Sequence, residues 1–238
     1  MGVIIFNGVS SIEHGILVEH PPNYDTAEKD CEVIHVPGRN GDIVIDSNSY
    51  KNVPRVYNIA VGSTSRPYAV IANEITGWLH SASGYARLED SYEPDYYRLA
   101  MYKEARSLSN TFGHAGRATI NFDCKPQRFF KSGDTSVVVP TGQPIWNPTF
   151  FLALPIITVN GNGAGVLRIG SYTITISELD GYLTINSDIE DTYKGTVNKN
   201  SSITLTDSEY PKLVGGNNVI SFTSGITSVS IVPKWWTL

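Results

Sequence analysis

Apolar and polar residues alternate through much of this chain with the period of two that half-buried β-strands show. The clearest case runs from Ala118 to Cys124, where Ile120 and Phe122 alternate with polar neighbours. Pro126 has no N–H to donate to a sheet, so we expect the strand to end there. We expect this strand to close a first domain, and Phe112 to Gly116 to form the turn that leads into it.

The first half of the chain contains further short strand patterns separated by Gly, Pro and Asn turn signals. An Asn7-Gly8 pair predicts a tight turn after the first of them. Ile75, Trp78 and Leu79 instead follow helical spacing, which predicts a short helix with Trp78 facing inward. The predicted strands include Val3 to Phe6, Ile16 to Val18, Cys31 to Val36, Ile43 to Ile45 and the segment from Tyr96 to Tyr102.

The most distinctive short motif is Pro-Gly-Arg-Asn-Gly-Asp at residues 37–42. Its proline and two glycines are typical of a hairpin tip, which would carry Arg39 out to where it can meet a partner. No Lys-Ser/Thr pair or helix start follows, so a phosphate-binding loop is not indicated. A plain turn is the simplest interpretation.

Four carboxylates are grouped at Glu89, Asp90, Glu93 and Asp95. Several oxygens on one loop can hold a calcium ion, but their spacing does not match the usual calcium-binding loop. We therefore expect a solvated acidic loop.

The second half alternates in short segments with turn signals every 8 to 12 residues or so, which indicates an antiparallel sandwich. Tyr172, Ile174 and Ile176 share one face, and Asp180-Gly181 is predicted to be a hairpin turn. Because neighbouring strand residues face opposite sides, only one of Trp235 and Trp236 can join a given surface. We expect one ring in the core and the other at an interface.

Charge density changes along the chain. Up to Asp134 there are 13 Lys plus Arg and 16 Asp plus Glu, whereas the remainder has 5 and 7. This change predicts two β-rich domains, the first over residues 1–134 with a short helix and the second over 149–238, joined by a linker at 135–148.

The net charge of -5 and the absence of a Lys/Arg cluster argue against nucleic-acid binding. The longest apolar run, Phe150 to Ile157, is too short to span a bilayer, and the first residues do not resemble a secretory signal. We therefore expect a protein that is made and kept in the cytosol, with two unpaired thiols, Cys31 and Cys124.

No cofactor or metal motif is present. There is neither a G-x-S-x-G nor an H-E-x-x-H sequence, and the histidines are scattered singly. A glycosidase would need two carboxylates that face each other across a cleft, and no carboxylate spacing in the sequence supports such a pair. We expect a protein that is not an enzyme.

Several segments together resemble the distal tail proteins of siphophages and prophages, particularly those of Gram-positive hosts. These segments span essentially the full chain: Phe6 to Gly8 with Gly15, Val36 to Asp42, Trp78-Leu79, Ala118 to Phe129, Asn147 to Thr149, Asp180 to Tyr182, Asp191 to Lys194, Glu209 to Leu213 and Trp235-Trp236.

The resemblance implies a hexameric ring made by the first domain and a galectin-like sandwich in the second. If such a ring forms, the candidate subunit contacts are the N-terminal strands and the exposed tip at Gly38, Arg39, Asn40, Gly41 and Asp42. It places such a protein at the virion tail tip, between the tail tube protein and the baseplate hub or tail-associated protein, with a receptor-binding protein as a further candidate partner. The alternative is a carbohydrate-binding module that recognises host wall polysaccharide through exposed Tyr or Trp.

Overall fold

The computed structural model describes residues 1–62, 67–103, 109–111 and 115–238. They form two compact units, Met1–Arg128 with Leu238, and Phe129–Thr237. The division therefore falls earlier than Asp134. The segment predicted as a linker, 135–148, belongs to the second unit because it contributes two strands to that unit's sheet.

The first unit contains strands and one α-helix among its described residues, with a 3₁₀ turn at Ser11–His14. The elements are β1 (Ile4–Phe6), β2 (Val9–Ser10), β3 (Ile16–Val18), β4 (Lys29–Ile34), β5 (Ile43–Tyr50), β6 (Val53–Gly62), α1 (Tyr68–Leu79), β7 (Ala86–Asp90), β8 (Tyr96–Met101), β9 (Ser109–Thr111) and β10 (Ala115–Phe130).

The main sheet of this unit curls until its ends meet. Its strand order is β2-β1-β7-β8-β10-β6-β3. Gly2, just before β1, exchanges two backbone hydrogen bonds of 2.9 Å with Val18 of β3. This bridge satisfies polar groups that an open sheet edge would expose.

The curled sheet and α1 enclose one apolar core. Phe6 and Phe122 lie with their ring centroids 4.8 Å apart, and the indole N–H of Trp78 donates to the carbonyl of Phe6 at 3.1 Å. The predicted inward position of Trp78 is confirmed, because only 5% of the residue is exposed. The Asn7-Gly8 turn is confirmed as well, with both residues at positive φ between paired Phe6 and Val9.

β10 continues past Pro126, so the predicted end of this strand is wrong. Its ladder with β6 runs from Ala115 to Cys124 and stops two residues before Pro126. On that side the proline has no ladder hydrogen bond to lose, which is why the strand tolerates it. Residues 112–114 of the predicted preceding turn lie outside the described residues.

The second unit is built of strands with short 3₁₀ turns at Lys131–Asp134, Asn200–Ser202 and Thr206–Ser208. The strands are β11 (Val137–Val139), β12 (Gln143–Asn147), β13 (Ile156–Ile169), β14 (Tyr172–Asn186), β15 (Asp191–Lys194), β16 (Val197–Asn198), β17 (Ile203–Leu205), β18 (Gly216–Phe222), β19 (Ile226–Val232) and β20 (Trp236–Thr237).

β13 and β14 form one long hairpin that is shared by both layers of the sandwich. The first part of β13 pairs with β19 and its last residues pair with β18. In the same way, β14 pairs with β17 near its start and with β15 at its end. The hairpin changes layer at a register shift between Gly163 and Gly165.

Asp180-Gly181 is therefore not a hairpin turn, and this prediction is wrong. The two residues lie inside β14 and pair with Asn162 and Gly161 of β13. Asp180-Gly181 resembles a turn signal because the β13–β14 hairpin bends at this point, and Gly161 and Gly181 lie opposite each other in the bend. A Cβ on Gly161 would lie only 1.9 Å from the carbonyl oxygen of Gly225. Glycine at this corner permits the close approach of two backbones.

The inward faces of the two layers form a second apolar core that includes Ile174, Ile176 and Trp235. This confirms the mainly β fold class, with an antiparallel, galectin-like sandwich following a β-rich unit that contains a short helix. Cys31 and Cys124 are both free. Burial raises the pKa of the Cys124 thiol to about 12, which keeps it protonated and unreactive.

Replacing Gly161 by alanine is expected to destabilise the second unit by about 1–3 kcal/mol or more, because the new Cβ would overlap the Gly225 carbonyl. Urea unfolding followed by tryptophan fluorescence measures the change. Gly77→Ala is the matched control, since open space surrounds this helical position. It should gain about 0.5–1 kcal/mol. Equal stabilities for the two variants would contradict the corner's role.

Candidate interaction surfaces

β4 and β5 form a two-stranded sheet that pairs with no other strand in the described part of the chain. Their register contains one irregularity, between Asp30 and Cys31. A lone hairpin of this kind is only marginally stable in water. The β4–β5 hairpin is therefore an element that gains stability from covering by another surface.

Apolar side chains of this hairpin are exposed on both of its faces. Val33 and Val44 are directly opposed and are 57% and 61% exposed, and Ile45 is 50% exposed. Ile34 is also partly exposed, at 37%. Such exposure on a paired sheet marks an interaction surface rather than scattered surface residues.

The five candidate contact residues lie together at the exposed tip of this hairpin. Gly38 and Gly41 have positive φ values of 83° and 79°, as the predicted turn requires. At the neck, His35 Nδ1 and the Asp42 carboxylate are 2.9 Å apart. The hairpin geometry is thus as predicted, and subunit contact by these residues remains a prediction.

A smaller exposed apolar surface lies on the N-terminal strands. Ile5 of β1 and Leu17 of β3 are each 37% exposed, and Ile12 in the turn between them is 57% exposed. The Gly2 to Val18 bridge holds β1 and β3 side by side. These residues form a second candidate contact surface on the first unit.

Two of the four carboxylates predicted to form a solvated acidic loop, Asp90 and Glu93, instead belong to a buried ionic cluster, whereas Asp95 is exposed as predicted. Arg55 is 2% exposed and donates from Nη2 to Asp90 at 2.9 Å and to Glu93 at 2.6 Å. Tyr57 donates to the same Asp90 oxygen at 2.7 Å. Arg128 donates to the other oxygen of Glu93 at 2.7 Å and, through Nε and Nη2, to the carbonyl of Leu238.

The sequence contained a signal for this cluster. In β6, Val53, Tyr57, Ile59 and Val61 all face the interior, and Arg55 occupies the same inward row. A cation at an inward position needs buried carboxylate partners. Asp90, at the end of β7, and Glu93, in the turn that follows, supply them.

Opposing influences act on the pKa of the buried carboxylate. Burial is the largest influence on Asp90 and alone would raise its pKa, but the Tyr57 hydroxyl and the Arg55 guanidinium outweigh it and hold the pKa below its usual range. Burial, reinforced by Asp90, raises the pKa of Tyr57 well above its ordinary value. Tyr57 therefore remains a hydrogen-bond donor to ionised Asp90.

The described residues contain no group of His, Cys, Asp and Glu side chains arranged to hold a metal ion. Across the same residues, no helix is both long enough and apolar enough to cross a membrane. The terminal tryptophans do not form an exposed platform. Trp235 is 7% exposed in the core, and Trp236 stacks on Phe151 with ring centroids 4.4 Å apart.

These features define a class of protein, a two-unit β chain whose most prominent exposed element is an unpaired hairpin. No family model and no curated protein matches the chain. Among solved structures, it is similar to the Dit protein of phage SPP1, with a TM-score of 0.80, 14% identity and full coverage of both chains. That protein is described as a paradigm of the hub adsorption apparatus in phages that infect Gram-positive bacteria.

The chain is also similar to a chain of the phage p2 baseplate in its activated conformation with Sr. The TM-score is 0.53 and the identity 11%, with 97% of this chain and 96% of that chain covered. Both similarities extend over both units. The chain therefore has the fold that the distal tail resemblance implied.

Replacing Asp90 by asparagine is expected to lower the free energy of unfolding by about 3–5 kcal/mol, because Arg55 would lose a buried counter-charge. Chemical denaturation measures the loss. Glu19→Gln is the control, since it removes the negative charge from an ion pair with the exposed Arg117 and should change stability little. Similar small losses for both variants would show that the buried pair is unimportant.

The same carboxylate predicts loss of stability in acid. Because the folded pKa of Asp90 lies below its unfolded value, its contribution is complete above about pH 4 and is lost as pH falls through the folded pKa. Unfolding free energies between pH 7 and pH 2.5 should fall less steeply for Asp90→Asn than for the unaltered chain. Parallel curves would contradict this assignment.

Proposed function

We propose that this chain is a phage distal tail protein that assembles into a hexameric ring and joins the tail tube to the baseplate hub. The single observation that carries the ring is the β4–β5 hairpin, which pairs with no other described strand and exposes apolar side chains on both faces. The full-length similarity to SPP1 Dit supports the tail assignment.

A ring requires a contact between two different surfaces of the same chain, because identical patches facing each other close into a dimer. The first unit offers two such surfaces. The β4–β5 hairpin is one, and the exposed Ile5, Ile12 and Leu17 near the β3 edge form the other. We propose that the hairpin of one copy, with its tip at residues 38–42, docks on the N-terminal strands of the next.

The proposed location is the virion tail tip, after assembly in the host cytoplasm. The partners are further copies of the chain, the tail tube protein, the hub or tail-associated protein and a receptor-binding protein. The proposed role is structural rather than enzymatic. The glycan-binding alternative loses its first candidate platform, because the terminal tryptophans are occupied by the core and by Phe151.

The ring can be tested by light scattering over a concentration series, with negative-stain imaging. We expect a mass of six subunits and particles with a central channel. Val44→Asp should reduce the mass to that of the monomer, because it places a charge within the buried contact. Arg39→Glu tests the tip in the same way and should weaken the ring.

Val197→Asp is the matched control. Val197 is 59% exposed, close to the 61% of Val44, but lies on β16 of the second unit. It should leave the mass unchanged. A closed dimer, or a monomer that persists when tail tube and hub proteins are added, would overturn the ring proposal. A hexamer that Val44→Asp leaves intact would remove the hairpin from the contact.

A further inference from the structure

The second unit carries an exposed apolar surface that the proposed ring does not use. Two aromatic residues dominate it, Phe150, whose side chain is fully exposed at 102%, and Trp146 at 63%. We call it the Trp146/Phe150 face, and its members are Trp146, Phe150, Leu152, Val214 and Val219, the last three being 49%, 45% and 50% exposed.

The strands and the loop that carry these residues lie side by side. A Cβ on Gly216 would touch the Trp146 ring at 3.7 Å, and one on Gly215 would lie 3.6 Å from the Phe150 Cα. The Ala153 to Leu213 bridge places Leu152 beside Val214. Val219 pairs with Pro144, two residues along β12 from Trp146 and on the same side of the sheet. The glycines let the loop and β18 approach each other closely.

The loop that presents Phe150 is held by buried hydrogen bonds. Asn147, 1% exposed, accepts from the Thr149 backbone N–H at 2.9 Å and donates to the carbonyls of Phe151 and Leu213. Trp236 stacks on Phe151 and donates to the Leu152 carbonyl at 2.8 Å. Phe150 is therefore displayed by a fixed backbone, and a partner need not order this loop on binding.

The five members of the face carry no charge, and exposed Arg168 of β13, opposite Ser221, lies at its border. Residues 143–152 and 213–222, which supply it, contain no Asp, Glu, Lys, Arg or His. The β4–β5 hairpin, by contrast, carries ion pairs such as Lys29 with Asp46. Docking that hairpin on this face would remove water from its charges without supplying a counter-charge. An uncharged apolar surface is the complement that this face fits.

The size of the face also restricts its occupant. Five side chains with these exposures offer roughly 400–600 Å², whereas a standard interface uses about 800 Å² on each partner. A stable dimer of two such faces is therefore not expected. A contact of this size becomes strong when several copies bind one multimeric partner at once, because linked contacts gain avidity.

We infer that the Trp146/Phe150 face docks an uncharged, apolar surface of a different, multimeric tail protein. This inference rests on the proposed function, because the proposed ring would hold several copies of the face in a fixed array. Phe150 and Trp146 are the anchors, since exposed aromatic residues on a fixed backbone provide most of the binding energy at such contacts.

The test uses each tail protein encoded in the same gene cluster, purified singly and titrated against the full-length chain. One of them is expected to bind. Phe150→Ser and Trp146→Ser should each weaken that binding by about tenfold or more. Ile189→Ser is the matched control, because Ile189 is 60% exposed on the same unit outside the face, and it should bind like the unaltered chain.

Light scattering on every variant separates this inference from the ring. If the serine variants keep the mass of the unaltered chain but lose binding of the tail protein, the inference is supported. If the chain is a monomer and its binding still depends on Phe150 and Trp146, the inference stands although the ring proposal fails. The inference is overturned if none of the purified proteins binds, if both serine variants bind normally, or if Phe150→Ser lowers the mass of the chain alone. Phe150-dependent binding of wall polysaccharide, with no protein bound, would likewise overturn it.

Discussion

The first unit depends on a buried cation and its partners. Arg55 occupies an inward position of β6, where it is 2% exposed, and it is neutralised by Asp90 and Glu93 from β7 and the turn after it. Glu93 is shared with Arg128 of β10, which in turn holds the carbonyl of Leu238. An apolar core would accept many registers of these strands, whereas a misplaced charge in this interior costs several kcal/mol. The cluster therefore favours one register of β6 against β10, because a shifted β6 would move Arg55 away from Asp90 and Glu93.

Period-two alternation predicted the mainly β fold and most strand positions, and the proline and two glycines of residues 37–42 predicted the hairpin tip, because these features depend on local chemistry. These local patterns failed where contacts between residues far apart in the sequence determine the structure. Glu93 appeared to be a solvent-exposed carboxylate because its arginine partners come from β6, β8 and β10. Pro126 appeared to be a strand end because the length of β6 was unknown, and Gly181 appeared to be a turn because the corner of a bent hairpin also requires glycine. The Trp146/Phe150 face was missed because its two segments are some 65 residues apart and meet only through the β12 to β18 pairing.

The two exposed apolar surfaces differ in ways that separate their roles. The β4–β5 hairpin combines Val33 and Val44 with ion pairs and a turn that carries Arg39, a composition that gives a contact both burial and orientation. The Trp146/Phe150 face offers mainly apolar contact, with the Trp146 indole N–H as a polar group, on a backbone fixed by Asn147. A charged contact discriminates between partners and between orientations, whereas an uncharged aromatic face contributes affinity.

This difference also suggests an order of assembly. In the proposed ring, covering the hairpin would stabilise an element that is marginal by itself, which would favour contact between copies of the chain. One Trp146/Phe150 face is too small for a lasting contact, so a subunit outside the proposed ring would bind the proposed multimeric partner weakly. If the proposed ring sets several faces at fixed spacing, their combined affinity can exceed that of one face by about 10²–10⁴. Under this proposal, the weakness of a single face would prevent premature binding by unassembled subunits and would make docking of the partner depend on a completed ring.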